Sequence, residues 1–90
     1  MSIRRYNAKR DANEGQIIAA FEALGCMVQR LDTPCDLLVL NRGTVMLVEV
    51  KTKRGTLTKD QQLFAQWWPM HVVKSADEAI ALVQKHRRAA

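Results

Sequence analysis

Ninety residues, 48% apolar and 26% charged, make one small folded domain with no room for a second, and proportions of this kind exclude disorder and low complexity. Fourteen Lys and Arg against nine Asp and Glu leave a net charge of +5, which favours an anionic partner, nucleic acid being the commonest. No apolar run approaches the ~18–20 residues of a membrane span, and Cys26, Cys35, His71 and His86 lack zinc-site spacing.

Residues 1–6 carry basic side chains with no apolar stretch behind them, so no signal peptide is expected. A cytoplasmic protein with reduced thiols is the expectation. Residues 1–10, with Arg4, Arg5, Lys9 and Arg10, read as a basic arm. The first helix is expected to start near Asp11, where Asp11-Ala-Asn-Glu14 has the form of a capping box. Ile17, Ile18, Phe21 and Leu24 recur at helical spacing, and Gly25 stands where a helix turns left-handed to end. Residues 26–31 read as a short strand and Asp32-Thr-Pro-Cys35 as a turn. Two strongly apolar strands follow, over 36–40 and 44–51, joined by Asn41-Arg-Gly43. Both read as buried on two faces, which implies helices over both sides of the sheet. Lys53-Arg54-Gly55-Thr56 is a basic loop. A second helix starts at Thr58 with the capping pattern Thr58-Lys-Asp-Gln61, runs through Leu63, Phe64 and Trp67, and ends at Pro69. Residues 70–73 form a further strand. Ser75-Ala-Asp-Glu78 caps a last helix carrying Ala79, Ile80, Leu82 and Val83, and residues 85–90 are a basic tail. The order α-β-β-β-α-β-α makes a single α/β domain over 1–90, with a mixed sheet flanked by helices.

Glu49 and Lys51 end the otherwise apolar segment Val45-Met-Leu-Val-Glu-Val-Lys. Residues i and i+2 share a strand face, so they share one with Val45 and Leu47, a face expected to be packed. A carboxylate and an ammonium there are costly without partners. Asp36 opens the preceding strand, and the hairpin returns it to the neighbourhood of Glu49. Direct opposition of Asp36 and Glu49 requires paired positions to sum to 85, with Leu40 opposite Val45 and an even-length loop, such as Asn41–Thr44 or Arg42-Gly43. A three-residue loop would set Asp36 opposite Val48, on the wrong face. Two carboxylates this close repel unless one protonates or a cation lies between them. Oxygen-only donors suit Mg²⁺ or Mn²⁺. Lys51 can orient water or stabilise charge on a phosphate. Lys53, Arg54 and Lys59 can hold flanking phosphates, with simple solvation as the alternative. The chemistry implied is metal-assisted phosphodiester hydrolysis.

Pro34-Cys35-Asp36 followed by Glu49-Val50-Lys51 resembles the PD-(D/E)xK nuclease signature, with Cys35 inserted where that signature has Pro and Asp adjacent. The element order is similar to that superfamily's restriction-endonuclease-like αβββαβ core. Small size, an acidic residue in the first helix and Leu57-Thr58-x-x-Gln61 after a basic loop resemble the stand-alone, phage-type VRR-NUC family, over roughly residues 11–84. The resemblance implies a Mg²⁺- or Mn²⁺-dependent DNA endonuclease, structure-specific in the manner of Holliday-junction resolvases and acting in replication, repair or recombination. It implies a homodimer acting on branched or duplex DNA in a bacterial host cytoplasm, with no membrane and no small-molecule cofactor. By that resemblance Asp36, Glu49 and the Val50 backbone carbonyl hold metal, Glu14 completes or supports the metal site, Lys51 is the catalytic lysine, and Gln61 lies near the active site.

Glu14 and Gln61 each have a second reading, as the third helical residue of a capping box; Glu14 is assigned to the site, and Gln61 stays between the two. Trp67 and Trp68 are read as packing residues, one in the core and one at a dimer interface, with base stacking as the alternative. His71 is expected to be a core or edge histidine and the cysteines small inert hydrophobes. A non-catalytic DNA-binding or accessory protein, or a nuclease subunit needing a partner, is the competing reading of the whole chain.

Overall fold

The computed structural model describes residues 12–89. The basic arm over 1–10 and the expected helix start at Asp11 lie outside them. Helix α1 spans Glu14–Ala23, and strands β1, β2 and β3 span Met27–Arg30, Leu37–Asn41 and Thr44–Val50. Helix α2 (Lys59–Trp67), strand β4 (Met70–Val73) and helix α3 (Ala76–Ala89) complete the chain. The result is an α/β domain on one four-stranded mixed sheet in the order β1-β2-β3-β4. The first three strands are antiparallel; β3 and β4 are parallel, as a strand–helix–strand crossover dictates.

The hairpin register is the even one. Leu40 pairs with Val45 and Leu37 with Val48, closed by the two-residue loop Arg42-Gly43. Both loop residues have positive φ, +50° and +85°. That is the type I′ arrangement, whose twist matches the flanking strands.

One face of the sheet carries the core. Leu37 and Val39 of β2, Met46, Val48 and Val50 of β3 and Val73 of β4 are buried against Ile17 and Phe21 of α1 and Ala79 and Val83 of α3. Fully burying a side chain such as Phe21 or Ile17 contributes about 1.5–3 kcal/mol. α1 closes through a Schellman arrangement. Gly25, at φ +86°, donates to Glu22 O, and Cys26 N–H donates to Phe21 O. At the C-terminal end of α3, Arg87 Nε donates to Asn41 Oδ1 at 2.9 Å and its Nη2 to Leu24 O at 2.6 Å. This clasp ties the hairpin and the end of α1 to α3.

Four expectations are corrected. The opposite face of β2 and β3 is open rather than covered: Val45 is 61% exposed and Leu40 38%, with Met27 of β1 beside them at 70%. Both α1 and α3 lie on the other side, and α2, which has no buried residue, reaches this face at its Glu49 end through Gln61, leaving Leu40 and Val45 open. Second, α1 starts at Glu14, with Asn13 as its N-cap residue and no side-chain cap bond. Asn13 instead spends its amide on distant carbonyls. Third, Trp67 and Trp68 are both exposed and neither enters the core; Trp68 stacks on Phe64 with centroids 6.1 Å apart. Fourth, residues 85–89 are the last turns of α3 rather than a tail. Basic residues there complement the negative end of the helix dipole.

Candidate active site at the end of the third strand

In this register the hydrogen-bonded pairs of the hairpin are Asn41–Thr44, Val39–Met46 and Leu37–Val48. One step further, Asp36 and Glu49 occupy a non-hydrogen-bonded position, where opposed side chains come closest. The next ladder donor, Val50 N–H, is taken by the Asp36 side chain, with Oδ2 accepting at 2.8 Å. Asp36 therefore ends the ladder with a carboxylate. Asp36 and Glu49 are both buried. The Glu49 carboxyl is pushed above the usual carboxylate range, first by burial and then by the charge of Asp36, with Lys51 pulling the other way.

Lys51 lies two residues on, on the same face, and sets Nζ 3.3 Å from Glu49 Oε2. Its backbone N–H donates to Val73 O, continuing the β3–β4 ladder. Gln61 reaches the same carboxylate from α2, with Nε2 donating to Glu49 Oε2 at 2.8 Å. Its Oε1 accepts from Thr58 N–H at 3.0 Å, while Thr58 Oγ1 accepts from Gln61 N–H. The capping box is complete, and it fixes which end of the amide faces Glu49. Both readings of Gln61 therefore hold, through different atoms.

Glu14 is buried at the first turn of α1, where Arg30 Nε donates to its Oε2 at 3.0 Å. Among the described residues no three His, Cys, Asp or Glu side chains form a metal-holding group. The acidic set that the fold brings together is the pair Asp36 and Glu49. Its chemistry fits a hard divalent cation: oxygen donors only, two buried carboxylates in mutual repulsion, and one of them already displaced toward protonation. Lys53 and Arg54 are exposed in the loop after Lys51, and Lys59 is exposed at the start of α2.

Two residues of this region escape sequence reasoning. Asn13 Nδ2 donates to Lys51 O at 3.1 Å and to Lys74 O at 2.7 Å, pinning the exits of β3 and β4 to the start of α1. Both amide hydrogens are spent, and among the described residues the buried Asn13 Oδ1 has no partner. No sequence signal marks this role, because Asn beside a helix start reads as a cap. Arg30 shares a strand face with core-packed Val28, which could have signalled its approach to α1. Cys26 and Cys35 are buried free thiols whose pKa values burial raises, in keeping with inert hydrophobes.

No protein-family model, curated protein or solved structure matches this chain.

Proposed function

We propose that the chain is a Mg²⁺- or Mn²⁺-dependent endonuclease that hydrolyses DNA phosphodiesters. The observation that carries this reading is the buried Asp36–Glu49 pair with the Lys51 ammonium and the Gln61 amide on one carboxylate. Binding alone has no use for buried carboxylates that repel phosphate, whereas hydrolysis does. The order of elements supports a restriction-endonuclease-like core, and its resemblance to junction resolvases favours branched DNA as substrate.

Asp36, Glu49 and the Val50 carbonyl would hold the cation, which supplies charge for the phosphate and lowers the pKa of a water. Lys51 donates to the attacking water or to the phosphate oxygen on which charge builds. Gln61 keeps Glu49 in one rotamer, and its bond orients the carboxylate toward the donor set. Glu14, held by Arg30, supports the strand ends through α1. Lys53, Arg54 and Lys59 bind backbone phosphates on either side of the cut.

The protein acts as a homodimer in this reading. Met27, Leu40 and Val45 on the open sheet face and Leu63, Trp67 and Trp68 on or beside α2 are all exposed. Six large side chains approach the scale of the roughly 800 Å² that one partner gives to a stable interface. A second copy would cover them and supply the second site that a two-strand cut needs.

Purified protein incubated with labelled four-way junction, flap, duplex and single-stranded DNA, with Mg²⁺, Mn²⁺ or EDTA, tests the reading. Metal-dependent cleavage is expected, lost in Glu49→Gln with binding retained or strengthened. Tight salt-sensitive binding without cleavage would move the protein to the accessory class.

A further inference from the structure

The hairpin tip lies at the opposite end of the sheet from the carboxylates. β3 runs from Thr44 to Val50, which at ~3.3 Å per residue places the tip about 20 Å from the site. The first turn residue is Arg42, at φ +50°. Gly, Asn and Asp adopt this conformation readily in type I′ turns, and Arg does so against its steric preference. The exposed Arg42 lines a hollow of about 80 Å³ together with Asn41, Thr44, His86 and Arg87. None of these five residues carries a carboxylate. The clasp to Asn41 and Leu24 holds the Arg87 guanidinium rigidly in place. Thr44 offers a hydroxyl, and exposed Arg88 follows on the same last turn of α3. A fixed guanidinium, a second one on an exposed turn and a hydroxyl are donors that match a phosphate group.

We propose that this hollow is a second phosphate-binding site, which takes a backbone phosphate of DNA on the α3 side of the sheet, the face opposite that of Glu49 and Lys51. The proposal rests on the nuclease reading for its ligand. Arg occupies a position that Asn would fill with less strain because the turn has to present a cation.

Arg42→Asn suits the turn and removes the charge, so stability and binding should move in opposite directions. A melting temperature equal to or above that of the parent is expected. Anisotropy with a labelled 30-base-pair duplex in EDTA should show about three- to tenfold weaker binding and a salt slope smaller by about 1, and Arg42→Lys should restore most of both. Equal affinity and slope in Arg42→Asn would overturn the site. A second arm does not depend on nuclease activity: inorganic pyrophosphate added to ¹⁵N-labelled protein should shift the Gly43 and Thr44 amides, and no shift would overturn the site even in a protein that cuts DNA. Loss of duplex affinity in Arg42→Asn, in a protein without metal-dependent cleavage, would keep the phosphate site and remove the nuclease reading.

Discussion

Asn13 offers the sharpest test of how the catalytic end is held. Its single amide nitrogen ties Lys51 O and Lys74 O together. Asn13→Ala leaves two part-buried carbonyls without their donor. A net loss of about 1 kcal/mol per hydrogen bond gives about 2 kcal/mol, rising where the carbonyls stay dry. Removing Oδ1, which has no partner among the described residues, returns part of that. A 90-residue domain has roughly 5–13 kcal/mol in all, and each kcal/mol shifts the midpoint by about 4–8 °C. A fall of about 8–16 °C is expected by thermal circular dichroism. Asn13→Asp is the stronger variant, because it points a second acceptor at two carbonyls and should melt below Asn13→Ala. Cleavage assayed well below each midpoint should also fall in kcat, since Lys51 keeps its N–H bond to Val73 but loses the anchor on its carbonyl, while KM changes little. An Asn13→Asp protein as stable as the parent would refute the hydrogen-bond assignment. Equal kcat across the series in folded protein would refute the positioning role.

Further outcomes separate the remaining roles. Thr58→Ala removes the cap of α2, costing about 1 kcal/mol, and should leave cleavage nearly intact, because Gln61 Nε2 still reaches Glu49. Gln61→Glu keeps an acceptor for Thr58 N–H but sets a carboxylate against Glu49; cleavage should drop at least about tenfold with a smaller loss of stability, and matching losses in both variants would reduce Gln61 to a cap. The His71 ring packs edge-on against His86 with centroids 5.0 Å apart, and its pKa is lowered by burial first, then by the charges of His86 and Lys85. A lowered folded-state pKa means that its contribution is fully present above the ordinary histidine value near 6.5 and is lost as pH falls through the lower folded value. Melting curves from pH 7.5 to 4.5 should therefore fall more steeply for the parent than for His71→Gln, and parallel curves would contradict this. Val45→Arg places a charge in the middle of the open face and should convert a dimer to monomer in sedimentation velocity at unchanged helix content; an unaltered sedimentation profile would place any dimer contact elsewhere.

The strands show why periodicity alone misled about the open face. Leu37–Leu40 and Val45–Val48 are uninterrupted apolar runs, the usual mark of strands buried on both sides. The same run arises when one face meets helices inside the chain and the other is left open. Sequence periodicity reports that a side chain is apolar, and only the placement of α1, α2 and α3 shows which face they cover. Trp67 and Trp68 follow the same logic: their chemistry was legible, their exposure was not.

The element order was determined by local rules, and so, for an even hairpin loop, was the convergence of Asp36, Glu49 and Lys51; the choice between an even and a three-residue loop fell to the structure. Strand alternation, a two-residue turn and the position of a carboxylate relative to that turn place all three residues without any knowledge of the rest of the chain. Tertiary structure alone decided the long-range partners. Gln61 meets Glu49 because the crossover returns α2 over the strand end. Asn13 reaches Lys51 and Lys74 across 38 and 61 residues, and Glu14 pairs with Arg30 through the docking of α1 on the sheet. Such contacts depend on how whole elements pack, and packing is a property of the assembled core rather than of any local segment.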